Sequence, residues 1–416
     1  MSITHLEKKA TFWLSHIAEL IDLWKESKFT AASVKQRFMS GKRYLGSKDK
    51  KIISGVFFFF LRHKMVLETI STEGIFLLAF LNDNDVNESV NRIFKNNEFN
   101  SYIYTLVNSE NLETEFAKYK STDFFPNTFL KNIVLEEDRL LSLASAVNNE
   151  ATTDLRIISD RDLIEEELKS NNIPYEYNIV KDCIKLGKNI NFNTYLSYKN
   201  GCFEIQDEGS QLISILLNPK PDEDILDYCS GGGGKTIHIA ELANDQAFID
   251  ATDINKKRLK ETERRVGLHR LSSVLVLNIE DVDNDEKQYH KVLIDAPCSG
   301  SGTVRRAPEI RYSITDDIID GYTNLQLEIV TKCYEKIAPG GELIYSTCSL
   351  FRNENDRVIS NILTQYPDLS LVDIKSRAVD LKIPIENLDF TDFGLMTLTD
   401  KSKTDGFYIS ILKKGG

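Results

Sequence analysis

The C-terminal half of this 416-residue chain predicts an α/β fold with a doubly wound, mainly parallel sheet. A small α+β unit and an all-helical N-terminal region precede it. Three observations carry this reading. From Gly201 onward, short apolar runs alternate with helix-like segments, the pattern of a sheet covered on both faces. A glycine loop follows the first of these runs and opens a helix. Before residue 118, apolar residues recur at helix spacing and few turn signals fit strands.

In the N-terminal region, Phe12, Leu14, Ile17, Leu20, Ile21 and Trp24 keep helix spacing, and 32–38 continues it. Ser47-Lys48-Asp49-Lys50 reads as a helix start before 52–67. Further apolar segments stand at 75–81, 90–94 and 102–107. Lys42, Arg43, Lys48, Lys50 and Lys51 could meet phosphates, although a solvated basic face is the plainer reading. The domain is drawn as 1–118.

The next unit is drawn as 119–200. Phe124-Phe125-Pro126-Asn127 reads as a linker entering a helix through Leu130, Ile133 and Leu135. A strand at 154–158, a helix at 160–170 and a strand at 175–180 follow, with no catalytic constellation.

The third domain, 201–416, starts its sheet with a strand at 224–228. The glycine loop 229–235, a helix at 236–244 and a strand at 247–252 come next. A helix at 256–268 and strands at 274–277 and 291–294 lead to a long helix at 316–338. Pro339-Gly340-Gly341 reads as a turn into a strand at 342–345, followed by a helix at 352–365. Residues 394–399 and 405–413 read as a closing hairpin.

The composition is that of a globular protein, with 41% hydrophobic and 27% charged residues. A net charge of −12 argues against non-specific coating of nucleic acid but permits a local basic groove. The six cysteines contain no C-x-x-C pair and no zinc-like Cys/His spacing, so no metal is expected. The first ten residues lack a signal-peptide core. The longest apolar run, 52–61, is far short of the roughly 20 residues that span a bilayer. A cytoplasmic monomer that does not engage a membrane is expected.

The glycine loop reads Asp227-Tyr228-Cys229-Ser230-Gly231-Gly232-Gly233-Gly234-Lys235-Thr236. A phosphate-binding Walker loop would need glycine at Cys229, and a G-x-G-x-x-G fingerprint would need it at Thr236. Asp253, about 20 residues further on at the end of the next strand, can accept from both hydroxyls of a ribose. An adenosine without a polyphosphate therefore fits, and S-adenosylmethionine is such a ligand. The alternative at Asp253 is a helix N-cap.

Two cysteines stand in parallel contexts: Asp295-Ala296-Pro297-Cys298-Ser299-Gly300 and Tyr345-Ser346-Thr347-Cys348-Ser349. Each follows an apolar strand, where ligands of α/β sheets bind. A thiolate adding to C6 of a cytosine makes C5 nucleophilic toward a sulfonium methyl. Asp295 can meet the pyrimidine edge, and Lys235 can lower a thiol pKa. One cysteine attacks and the other assists release. An amino-group methyltransferase would carry an aromatic where Cys298 stands. Small buried cysteines are the plain alternative. Arg305, Arg306 and Arg311 follow the Cys298 turn and are expected to contact phosphates.

These residues resemble the RNA cytosine-5 methyltransferases of the Sun/Fmu (Nol/Nop/Sun) family, and most closely its bacterial small-subunit ribosomal RNA branch. The likeness covers about 119–413. It rests on Ile205-Gln206-Asp207-Glu208-Gly209-Ser210-Gln211, the Gly-Gly-Lys-Thr loop ending at Thr236, Asp253, 295–306, Thr347-Cys348-Ser349 and Thr404-Asp405-Gly406-Phe407. It implies a Rossmann-like, S-adenosylmethionine-dependent methyltransferase domain with Cys348 as nucleophile and Cys298 assisting product release. It also implies that Lys235 and Asp295 position the cytosine. The cofactor would be held by the loop from Cys229 through Lys235 with Asp253, Arg258, Asp295 and an acid at Glu280 or Asp281. In this chain Gly231-Gly232 replace the family's usual Ala-Pro. The helical N-terminus resembles a NusB-type RNA-binding domain, and 119–200 corresponds to the family's RNA-recognition-like subdomain. Ribosomal RNA is the expected substrate. Transfer RNA and a catalytically inactive RNA-binding assembly factor are the alternatives.

Overall fold

The computed structural model describes residues 3–70, 119–187 and 190–416. The chain forms two compact units. One comprises Met1–Lys131, Leu135–Asn148 and Arg306–Ser313; the other comprises Asn132–Val134, Asn149–Arg305 and Ile314–Gly416. The helices expected at 75–81, 90–94 and 102–107 lie outside the described residues. Among those described, no helix is long and apolar enough to cross a membrane.

In the first unit, helices α1 (Ile3–Lys25), α2 (Ala31–Gly41) and α3 (Ser47–Ile70) surround one core. Ile17, Leu20, Val34, Phe38, Ile53 and Phe57 sit at its centre. The helix start read at Ser47–Lys50 is present, because Asp49 accepts from Gly46 N at 3.0 Å and from Trp13 Nε1 at 2.9 Å. Of the four consecutive phenylalanines, Phe57 and Phe60 are buried while Phe58 and Phe59 pack at the rim. This is the division that helix periodicity imposes.

The boundary drawn at residue 118 does not match this division. The 3-10 turn Ser121–Phe124 packs on both α3 and helix α4 (Glu137–Asn148). Phe125, Phe129, Leu143 and Val147 are buried. Apolar side chains at helix spacing thus extend the helical unit to Asn148, and it also takes in Arg306–Ser313.

The second unit carries two sheets. The smaller is antiparallel, in the order β2-β3-β1-β4, formed by β1 (Thr153–Ile157), β2 (Tyr175–Glu176), β3 (Cys183–Leu186) and β4 (Phe203–Ile205). Helix α5 (Arg161–Ser170) packs on it through Ile164 and Leu168. The strand predicted at 175–180 is shorter than expected, and β3 was not anticipated. Lys185 breaks the apolar run of β3, yet it is buried because its ammonium meets Asp154 at 3.1 Å and Glu208 at 3.2 Å.

The larger sheet follows the order β11-β12-β13-β9-β8-β5-β6-β7, with β10 also on β13. Its strands are β5 (Asp224–Asp227), β6 (Phe248–Ala251), β7 (Val274–Val276), β8 (Tyr289–Asp295), β9 (Ile337–Thr347), β10 (Leu369–Leu371), β11 (Asp389–Phe390), β12 (Leu395–Met396) and β13 (Tyr408–Lys414). Strands β5 to β9 pair in parallel, whereas β13 runs antiparallel to β9 and β12 and closes the predicted hairpin.

Alternate strand residues enter different cores, so both faces are covered. Ile225, Leu293 and Ile344 pack with helices α6 (Glu208–Leu217) and α7 (Gly234–Leu242). Leu226, Val292, Ile294 and Leu343 pack with α9 (Asp316–Tyr334) and α10 (Asp356–Gln365). Helix α8 (Lys256–His269) links β6 to β7. Pro339-Gly340-Gly341 lies inside β9 and is not a turn before it; the ladder shifts register there and Gly340 takes φ +75°. Strand order reverses between β5 and β8, which places the ligand crevice at their carboxyl ends.

Candidate active site

Asp295 closes β8 opposite Ser346 of β9, and each strand then turns sharply. Ala296 N donates to Ser346 O at 2.8 Å, and Gly302 N to Cys348 O at 2.9 Å. These bonds tie the two turns together and leave the Cys298 and Cys348 sulfurs 3.4 Å apart. Both are free thiols, half-buried. The Cys298 thiol is pushed well up by its hydrogen bond to Cys348, then by burial, then by the charges of Cys348 and Glu354.

Lys235, in the first turn of α7, reaches Asp295 Oδ2 at 2.5 Å, and Ser346 Oγ donates to Asp295 Oδ1 at 2.9 Å. Burial pulls the Lys235 pKa down, but the charge and hydrogen bond of Asp295 outweigh it and raise it, keeping the ammonium charged. The Phe407 ring lies 5.8 Å from this nitrogen. Lys235, Asp295, Cys298 and Cys348 therefore gather at the ends of β8 and β9, as the sequence suggests. Asp295 also holds Lys235 and Ser346 in place.

The glycine loop joins β5 to α7. Gly231 and Gly233 take φ +58° and +80°, values that favour glycine. A Cβ at Gly233 would meet Thr262 Cγ2 at 2.9 Å. Asp253 Oδ2 accepts from Gly231 N at 2.9 Å and its Oδ1 from Asn255 N at 2.7 Å. Asn255, not Asp253, caps α8, so the N-cap alternative for Asp253 does not hold. Two buried polar atoms, Ser230 Oγ and Asp227 Oδ1, have no hydrogen-bond partner among the described residues. Burial first of all lifts the Asp227 carboxyl to about 7, against a hydrogen bond from Thr236. Cys229 is raised well up, mainly by burial. Orphaned polar atoms beside an open glycine turn and a carboxylate at the next strand end fit a polar, nucleoside-like group.

Arg258 is exposed and, with Gly232, Asn255 and Lys257, lines a surface hollow of about 690 Å³. Glu280 and Asp281 are both exposed; Glu280 lies 3.8 Å from Lys256, and Asp281 accepts from Asn278 at 3.0 Å.

The three arginines part company. Arg305 is buried against Asp405 at 3.1 Å. Arg311 is fully buried, donating to the Pro308, Arg62 and Phe124 carbonyls and to Asn148. Phosphate contacts from Arg305 and Arg311 do not fit this burial: each guanidinium donates to internal acceptors, most of them distant in sequence, which the local sequence does not disclose. Arg306 is exposed.

Sequence reasoning missed Glu354. The region 352–365 reads as one helix, but it splits into a 3-10 turn, Arg352–Glu354, and α10, with Asn355 at φ −117° and ψ −105° between them. That break turns Glu354 inward onto both cysteine turns. Its only signal in the sequence is a carboxylate six residues after Cys348.

Residues 214–413 match the family model described as 16S rRNA methyltransferase RsmB/F. The probable ribosomal RNA small subunit methyltransferase B of Bacillus subtilis is 32% identical over 270 residues, 62% of this chain. The chain spans 58% of the length of that curated relative. The crystal structure of PH0851 superposes with a TM-score of 0.74 at 22% identity, over 96% of this chain and 97% of that one. A methyltransferase homologue from Pyrococcus horikoshii gives a TM-score of 0.56 at 25% identity, over 69% of this chain and 93% of that one. The chain has the Rossmann-like fold of these neighbours, and its residues 214–413, just under half of the chain, are similar to the RsmB/F family.

Proposed function

We propose that this chain methylates C5 of a cytosine in small-subunit ribosomal RNA, using S-adenosylmethionine and a covalent cysteine–C6 adduct. One observation carries the reading: two free thiols 3.4 Å apart beside the Lys235–Asp295 pair. The names of the relatives supply the RNA substrate class.

Bound S-adenosylmethionine supplies an electrophilic methyl group. Ser230, the glycine loop and Asp253 hold the cofactor. Asp295, fixed by Lys235 and Ser346, meets the N3/N4 edge of the cytosine. The Cys348 thiolate adds to C6, and the C5=C6 electron pair becomes available at C5. That pair forms the bond from C5 to the methyl group, and the pair of the broken sulfur–methyl bond would stay on the cofactor's sulfur. Loss of the C5 proton then leaves the C5–H pair to restore C5=C6, and the C6–sulfur pair departs with Cys348 as thiolate. Cys298, within hydrogen-bond distance of Cys348, assists that release. Arg306, exposed after the Cys298 turn, contacts RNA phosphate.

The test uses unmodified small-subunit RNA, unmodified transfer RNA and methyl-labelled cofactor, with bisulfite mapping of the products. Cys348→Ala is expected to lose transfer, and Cys298→Ala to accumulate a protein–RNA adduct that survives denaturation. Label in transfer RNA alone would refute the ribosomal substrate. Full turnover by Cys298→Ala without an adduct would refute the division of labour.

A further inference from the structure

Glu354 is a fully buried carboxylate whose hydrogen-bond partners among the described residues, Ser299, Ser349 and Gln326, are all neutral. Its Oε1 accepts from Ser299 N at 2.7 Å and from Gln326 Nε2 at 3.4 Å. Its Oε2 accepts from Ser299 Oγ and Ser349 Oγ, each at 2.5 Å. Ser299 follows Cys298 and Ser349 follows Cys348, so one side chain grips the residue next to each sulfur. Gln326 also donates to Pro297 O at 3.0 Å, and Ser301 Oγ lies 3.1 Å from Ser349 Oγ. A buried carboxylate is costly unless it is hydrogen-bonded, and here every bond goes to the two cysteine turns or to Gln326, which itself holds the Cys298 turn.

We infer that Glu354 is a positioning residue that clamps both cysteine turns and polarises the sulfur pair, so that negative charge settles on Cys348 and the proton stays on Cys298. This rests on the covalent reading proposed above. The carboxylate lies unequally across the pair: it takes two bonds from the residue after Cys298, Ser299 N and Ser299 Oγ, and one from the residue after Cys348, Ser349 Oγ. The Glu354 carboxylate acts on Cys298 and raises its thiol, after the larger effects of the Cys348 hydrogen bond and burial. The Lys235 ammonium shares its field with Cys348, offset in part by Asp295. Among the described residues, the phenols of Tyr322 on α9 and Tyr345 on β9 also face the pair. Both are raised first by burial, and both interact with Cys298 and Glu354. Neither phenol is ionised at neutral pH, so the carboxylate and the ammonium set the asymmetry. An attacking thiolate and a protonated neighbour ready to assist its departure are what adduct formation and release require.

The experiment follows alkylation by iodoacetamide, resolved by mass spectrometry across pH, on the full chain without RNA or cofactor. In the Cys348→Ala background, Glu354→Gln is expected to lower the apparent pKa of Cys298 by about one unit, or roughly tenfold faster labelling near neutrality. In the Cys298→Ala background the same change should move Cys348 by less than a third of that. Glu354→Asp, which keeps the charge, should leave Cys298 as slow as with glutamate. Equal shifts at both sulfurs, or none at Cys298, would overturn the assignment. Should Glu354→Gln fail to fold, competition in the unaltered protein decides it: one equivalent of reagent is expected to label Cys348 at least tenfold over Cys298, and the reverse preference overturns it. Because these readouts use neither RNA nor cofactor, they stand or fall separately from the methylation reading.

Discussion

Gly302 and Gly406 meet backbone to backbone. Gly406 N donates to Gly302 O at 2.9 Å, and a Cβ added at Gly302 would lie 1.9 Å from Gly406 O. The contact ties the Cys298 turn to the start of β13 and explains why glycine recurs in two segments about a hundred residues apart. A Cβ at Gly406 would likewise meet Leu350 Cδ2 at 2.5 Å, just past the Cys348 turn.

Gly302→Ala is therefore expected to destabilise the fold by about 3 kcal/mol, the upper range of overpacking in a rigid site. Urea unfolding with an unchanged m-value would report it. A loss below about 0.5 kcal/mol would show that the turns can part without cost.

Lys235 and Asp295 are predicted to fail as a unit in catalysis. Each holds the other at 2.5 Å, and Ser346 fixes the second carboxylate oxygen. Lys235→Met and Asp295→Asn should each lower methyl transfer by about 10²- to 10⁴-fold, the range for a positioned acid–base group. The double variant should lose little more than either single one, because groups acting together are not additive. Additive losses would indicate independent roles.

The His269 imidazole makes stability depend on pH. It sits between Glu204 at 2.8 Å and Glu241 at 3.1 Å, and those hydrogen bonds, Glu204 first, raise its pKa to about 9. A raised folded-state pKa means the stabilisation is complete below the unfolded value near 6.5 and disappears as pH rises through 9. Because the ring is only half enclosed, about 1–2 kcal/mol is expected after allowance for solvent screening. Melting temperatures should fall between pH 6.5 and 9 in the native chain, and His269→Gln should flatten that slope.

The mainly parallel sheet, the succession of its strands and helices along the chain, and the placing of Cys298 and Cys348 at strand ends were legible because apolar runs, glycines and strand-end cysteines are local signals. Glu354 and Lys185 were not. Both are charged residues buried by partners distant in sequence, and burial of that kind has no local signature. Strand β3 was hidden for the same reason, since the ammonium that interrupts its apolar run is neutralised by Asp154 and Glu208. The helical unit was drawn too short because Phe124-Phe125-Pro126 resembles a linker, while Phe124 and Phe125 are in fact buried.

Arg311 separates an internal anchor from an RNA contact. It donates to the Arg62 carbonyl at 3.2 Å, the Phe124 carbonyl at 3.3 Å and Asn148 Oδ1 at 2.9 Å. The Phe125 ring lies 4.0 Å from its guanidinium carbon. Burial pulls its pKa down to about 10, so it still carries its charge at neutral pH. Arg311→Leu should leave those acceptors unpaired and cost about 3 kcal/mol, within the range for losing one partner of a buried polar network. Hydrogen exchange should accelerate in α3 and α4 of the full chain, the elements that Arg311 joins. A phosphate-binding arginine would behave otherwise: its loss would reduce the salt dependence of RNA binding by about one counterion and leave exchange unchanged. That second outcome would return Arg311 to the RNA surface.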